Sequence, residues 1–100
     1  MLWAITCVDN VGTAALREKN LAPHLAYLEH RKPILVLGGA TLSDDGVAAT
    51  GSNFILNVAS RGEAKAFSDD DPFTKAGIFA SVSITRMRKR QWNPEAATGT

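Results

Sequence analysis

Three neighbouring stretches decide the fold: Pro33-Ile34-Leu35-Val36-Leu37-Gly38-Gly39, then Ser43-Asp44-Asp45-Gly46, then Gly51-Ser52-Asn53-Phe54-Ile55-Leu56-Asn57-Val58. Ile34 to Leu37 is a continuous apolar run, suited to a strand covered on both faces. Ser43 to Gly46 has turn chemistry, since Ser and Asp side chains bond nearby backbone and Gly tolerates positive φ. The hairpin loop is read as running on through Gly51. From Ser52 to Val58, Phe54, Leu56 and Val58 alternate with Asn53, Ile55 and Asn57, the period of a half-buried strand. Two strands therefore follow each other with no helix between them, which makes them a hairpin rather than a parallel pair. Gly38-Gly39 admits two readings, a bend in the strand or a backbone approached closely by a ligand or partner.

Outward from this hairpin, Leu2 to Val8 reads as a short buried strand closed by Asp9-Asn10-Val11-Gly12. Thr13 is placed as an N-cap, and Ala14 to Arg31 as a helix. Its apolar face is expected at Leu21, Leu25 and Leu28, with His24 among them. Pro23 implies either a kink or a fresh first turn; packing alone, or the aiming of His24 into a cavity, accounts for it equally well. On the C-terminal side, Ser60-Arg61-Gly62-Glu63 has the capping-box pattern, opening a helix from Arg61 to about Ser68 with Ala64 and Phe67 inward. Asp69-Asp70-Asp71 ends it, and Pro72 prevents its continuation. Three acids at a helix C-terminus oppose the dipole, so at least one must serve another purpose. Ala76 to Met87 is the last strand, with Ile78, Ala80, Val82 and Ile84 on one face and Phe79, Ser81 and Ser83 on the other.

The order strand, helix, strand, strand, helix, strand is the ferredoxin-like α+β arrangement: a four-stranded antiparallel sheet with both helices on one face. It spans residues 1–90, leaving 91–100 as a small-residue tail, disordered at its end. The other sheet face would be bare, and the simplest remedy is a homodimer with two sheets packed face to face.

Composition narrows the function. At 100 residues and 45% hydrophobic content the chain suits one domain. A net charge of +1 gives no field directing it to nucleic acid or an anionic membrane. The N-terminus lacks a basic leader and no apolar run approaches a bilayer span, so a cytoplasmic protein is expected. Cys7, the only cysteine, rules out an internal disulfide and reads as a buried core residue.

No metal site is expected, because His24 and His30 have no Cys or acidic partner at a familiar spacing. Thr50-Gly51-Ser52-Asn53 is not a nucleophile elbow, and no phosphate-binding loop is present. The basic run Arg86-Met87-Arg88-Lys89-Arg90 near Trp92 reads as solvated charge or a partner for the acids at 69–71, not as an RNA site. General acid–base chemistry remains. A histidine on an apolar stripe needs a partner, and Asp71, fixed before Pro72, is a candidate. The residues leave open whether His24 is catalytic or a hydrogen-bonded core histidine.

Pro23-His24-Leu25-x-Tyr27-Leu28, Gly38-Gly39, Gly51-Ser52, Glu63-Ala64 and Asp71-Pro72-Phe73-x-x-Ala76-Gly77 together resemble the YCII-related (YciI-like) family. The resemblance covers nearly the whole chain. It implies a dimeric α/β barrel of ferredoxin-like protomers, with His24 and Asp71 as a catalytic pair and no cofactor. Gly51 and Ser52 would line the pocket. Arg17, seven residues before His24, would meet an anionic substrate or lie at the surface. Gly39 or Ser52 backbone N–H groups would hold an oxyanion, and Phe73 and Trp92 would wall the cavity. The implied activity is a cofactor-independent lyase, a dehydrochlorinase acting on a small chlorinated hydroxyquinol-type ring in aromatic degradation. The alternatives are a muconolactone-isomerase-like enzyme and a non-catalytic metabolite-binding protein.

Overall fold

The computed structural model describes all residues, 1–100. Strands β1 (Leu2–Asp9), β2 (Leu35–Leu42), β3 (Ala49–Asn57) and β4 (Phe79–Met87) form one antiparallel sheet in the order β2-β3-β1-β4. Helices α1 (Ala14–His30), α2 (Arg61–Asp70) and the short α3 (Pro72–Lys75) complete the α+β, ferredoxin-like fold. The sheet is open: within one protomer it does not close into a barrel.

Alternation on the strands puts the core on one face. Trp3, Ile5 and Cys7 of β1 lie beside Leu56, Phe54 and Ser52 of β3, and all are buried. Ala64 and Phe67 of α2 cover them as expected, joined by Leu28, Ile34, Leu35 and Ile84 at the margin. The capping box at the start of α2 is formed: Glu63 N–H donates to Ser60 Oγ at 3.2 Å and Ala59 N–H to Glu63 Oε2 at 2.7 Å.

Several details differ from the sequence reading. The hairpin is tighter, because β3 begins at Ala49 and β2 runs straight through Gly38-Gly39 to Leu42. Ile34 belongs to a 3-10 turn (Lys32–Ile34), not to the strand. β2 is an edge strand covered on one face only; Val36 and Leu37 are exposed on an open face they share with half-buried Ile55. Thr13 does not cap α1: its hydroxyl donates to Asn10 C=O instead, at 2.9 Å. Pro23 lies inside α1 without breaking it.

The larger differences concern α1 and the chain around Asp71. Leu21 and Leu25 are about half exposed, at 45% and 53%, whereas His24 is the buried residue of the helix. The helix is rolled so that Arg17, Asn20, His24, Tyr27 and Leu28 face the sheet. Polar partners set this roll, as described below. Helix α2 extends to Asp70, with Lys65 Nζ bonding Asp69 at 2.6 Å. Asp71 then leaves the helix and starts α3, which hydropathy periodicity did not foresee because four residues carry no period. Finally, a bulge between Val8 and Asp9 shifts the β1–β4 register. It turns Phe79 towards the helices, against the expected alternation, where it packs edge-on to Phe73 at 6.4 Å. The tail includes a 3-10 turn at Pro94–Ala97. No helix is long and apolar enough to cross a membrane.

Candidate active site

Pro72 fixes the backbone at the first turn of α3, and Asp71 occupies the cap before it. Its carboxylate accepts the Phe73 N–H at 2.9 Å, satisfying one of the donors a helix start leaves free. The same oxygen, Oδ1, lies 2.7 Å from His24 Nδ1 on α1. The third acid of the run is thus accounted for: it holds one helix start and one imidazole. Both side chains are buried, Asp71 at 1% and His24 at 6% exposure. A hydrogen donated from Nδ1 to this oxygen leaves Nε2 as the free nitrogen of the ring. Nε2 has no hydrogen-bond partner in the chain.

Aromatic rings hold the imidazole on two sides. Phe73 stacks on it with centroids 3.7 Å apart and planes within 3°, and Phe54 meets it edge-on at 6.4 Å. Phe54 needs Gly38 opposite it, because a Cβ there would lie 2.8 Å from the Phe54 ring.

Arg17 is tied down on the same side of α1. Its Nε and Nη2 donate to both oxygens of Asp9, at 2.7 and 2.9 Å. Nη2 also donates to Gly51 C=O at 2.7 Å and to Ser52 Oγ at 3.2 Å. The guanidinium carbon sits 5.0 Å from the centre of the Phe73 ring. Gly51 makes this meeting possible: a Cβ there would fall 2.0 Å from Cys7 C=O, so no side chain fits between β1 and β3. Cys7 sits beneath this polar group, and burial, reinforced by Asp71 and Asp9, pushes its thiol up to about 12. The thiol is inert, as its setting in the sequence suggested.

His24, Asp71, Arg17, Ser52, Gly51 and Phe73 are therefore brought together. Gly39 and Trp92 are not. Gly39 pairs with Asn53 and faces the open side of the sheet, where an added Cβ meets no atom within 4 Å. Trp92 lies on that side too, 58% exposed, with Leu2, Val36, Leu37 and Ile55 around a cleft of about 590 Å³. The sequence reading missed Asp9 and Gly38. The available signals were an acid closing a strand eight residues before Arg17, and a glycine in register with an inward aromatic. No group of three or more His, Cys, Asp or Glu side chains is placed to hold a metal ion.

A four-stranded ferredoxin-like sheet that buries a His–Asp pair beneath its first helix defines a small α+β protein of the ferredoxin-like class. The YCII-related domain matches residues 1–88, and the chain belongs to that family. Protein YciI of Escherichia coli O6:H1 is 33% identical over 96 residues, covering 89% of this chain and 98% of YciI. The 5-chloro-2-hydroxyhydroquinone dehydrochlorinase TftG of Burkholderia phenoliruptrix AC1100, solved in complex with 2,5-dihydroxybenzoquinone, is 40% identical. It superposes with a TM-score of 0.81 over 88% of this chain and 94% of its own. Protein Atu4242 of Agrobacterium tumefaciens, at 16% identity and a TM-score of 0.53 over 94% of this chain and 98% of its own, shares the fold.

Proposed function

We propose that this protein is a cofactor-independent lyase that removes hydrogen chloride from a small chlorinated hydroxyquinol-type ring. The observation that carries the reading is the His24 imidazole, fixed by Asp71 at 2.7 Å and by the stacked Phe73, with its Nε2 left without a partner in the chain. The likeness to a dehydrochlorinase at 40% identity supplies the leaving group.

In this mechanism the ring reacts as the keto tautomer in which one hydroxyl proton has moved to the chlorine-bearing carbon, and neutral His24 accepts, through Nε2, the proton of the hydroxyl para to the new carbonyl. Asp71 keeps the hydrogen on Nδ1 and stabilises the imidazolium that forms. The electron pair released moves through the ring, the C–Cl bond breaks, and chloride departs with its bonding pair. The product is a quinone, reached by loss of one proton and one chloride with no oxidant consumed. Imidazolium returns its proton to water. Ser52 Oγ–H, whose lone pair already accepts from Arg17, is the donor for the developing ring oxyanion. A second copy of the chain covers the open sheet face and with it the Trp92 cleft.

The test is chloride release from 5-chloro-2-hydroxyhydroquinone, run beside a chloromuconolactone, for wild type, His24→Ala and Asp71→Asn. Wild type is expected to release chloride from the hydroxyquinol. His24→Ala should lose roughly 10²–10⁴-fold in kcat with its circular dichroism unchanged. Wild type that frees no chloride, or His24→Ala that keeps its rate, overturns the proposal. Isomerisation of the lactone without chloride release assigns the pair to lactone chemistry instead.

A further inference from the structure

Arg17 is the one cation inside this cluster, and the expected role for it is to receive an anionic substrate. The geometry points elsewhere. We infer that Arg17 is a positioning residue, and that the site selects an uncharged hydroxylated ring over one bearing a carboxylate. The inference rests on the proton-transfer reading of His24.

Charge comes first. The guanidinium grips both oxygens of Asp9, so its charge is matched within the chain. Asp71 adds a second carboxylate. In the proton-transfer reading His24 is neutral, so Asp9, Asp71 and Arg17 together leave the cluster with one net negative charge. A substrate carboxylate entering here would meet repulsion, since the opposing cation is already paired. A phenolic oxygen is neutral on arrival and needs only a donor, which Ser52 provides.

Position comes second. The Arg17 guanidinium lies 5.0 Å from the Phe73 ring centre, and the His24 imidazole lies 3.7 Å from it. The same guanidinium is held by Asp9, Gly51 C=O and Ser52 Oγ, on β1 and β3. Phe73 thus lies against both a fixed cation and the imidazole, and through this ring the plane of His24 is tied to Arg17 and so to the sheet. Because Arg17 donates to Ser52 Oγ, it also directs the hydroxyl hydrogen away from itself. Arg17 acts on both partners of the substrate without being its anion receptor.

Two readings by NMR test this without turnover. The carbon-bound ring protons of His24 should lie upfield of those of exposed His30, displaced by the stacked phenyl. Phe73→Leu should abolish that displacement. Arg17→Met, and Arg17→Lys if the first does not fold, should reduce it. Hydroquinone and its carboxylated analogue, 2,5-dihydroxybenzoate, are then titrated against the labelled protein. Hydroquinone should bind at least about tenfold more tightly, and Asp9→Asn should narrow that gap. In turnover, Arg17→Met should lower kcat roughly 10–100-fold with KM little changed. Tighter binding of the carboxylate by wild type, or Arg17 variants with unmoved His24 protons and a raised KM alone, overturns the inference. A protein that passes both NMR readings yet releases no chloride keeps Arg17 as a positioning residue and loses only the dehydrochlorinase reading.

Discussion

Replacing Asp71 by alanine removes one oxygen that two donors share, and the cost can be worked from the contacts. His24 Nδ1, now 2.7 Å from that oxygen, is left buried with no partner, whichever tautomer the ring then adopts. An unsatisfied buried polar group of this kind costs about 1–3 kcal/mol. The Phe73 N–H loses its cap acceptor at 2.9 Å, worth about 1 kcal/mol more. Asp71→Ala should therefore destabilise the fold by about 3 kcal/mol, which in a domain of this size lowers Tm by roughly 12–24 °C. Asp71→Asn keeps an oxygen in the same place, so the cap survives and the loss falls to about 1 kcal/mol, the charge-assisted part of the bond to His24. Urea unfolding followed by the fluorescence of buried Trp3 gives both values, with m held constant as the check on two-state behaviour. An Asp71→Ala cost below about 1 kcal/mol, or one equal to that of Asp71→Asn, refutes the shared-oxygen account.

Gly51→Ala should cost about 3 kcal/mol, because its Cβ would overlap Cys7 C=O at 2.0 Å and force two strands apart; Gly39→Ala, with open space, should stay within about 0.5 kcal/mol in the same denaturation assay. Cys7 gives a pH signature. Its thiol titrates at about 12 when folded and at 9.0 as its ordinary value, so between these the unfolded chain has lost the proton and the native one retains it. The Cys7 contribution to stability is complete below pH 9.0 and is lost as pH rises towards 12, at up to about 1.4 kcal/mol per unit, a slope that Cys7→Ala should remove. Leu37→Glu, at an exposed position of the open sheet face, should convert a dimer to a monomer in sedimentation velocity; a wild type already monomeric at micromolar concentration rejects the sheet-to-sheet assembly.

The hairpin, the alternation of β3 and the capping box of α2 were legible because each depends on neighbours in the sequence. Asn53, Ile55 and Asn57 declare the outer face of their strand by period alone, and Ser60 with Glu63 declares a helix start. The roll of α1 was not legible. Leu21, Leu25 and Leu28 form a plausible inward stripe with His24 among them, yet only His24 and Leu28 turn to the sheet. Asp9, Gly51 and Asp71, far off in the chain, draw Arg17 and His24 inward and leave Leu21 and Leu25 half exposed. Phe79 escaped for a similar reason, since the bulge that turns it is a property of the paired strands. His24 and Asp71 were singled out before their meeting was seen, one as a costly side chain on an apolar stripe, the other as a surplus acid. The glycine pair at 38 and 39 does not say which member lies against a ring; that depends on register with Phe54.

That roll can be argued from magnitudes. Turning α1 to bury Leu21 and Leu25, each about half exposed, would gain about 1 kcal/mol apiece. It would carry Arg17 and His24 away from Asp9 and Asp71, leaving two buried carboxylates unpaired, and would take Tyr27 Oη from Phe67 C=O, now at 2.8 Å. Breaking one buried ion pair by removing a partner costs about 3–5 kcal/mol, so the polar contacts win even before the tyrosine bond is counted. The helix that carries the candidate base is consequently oriented by the site and not by the core. Weakening the site by two substitutions, Asp9→Leu with Asp71→Leu, should release the helix to turn its leucines inward. Burial of Leu25, read from loss of its methyl contacts with a solvent paramagnetic probe, is the expected result, and a Leu25 as exposed as in wild type would show that the core sets the roll after all.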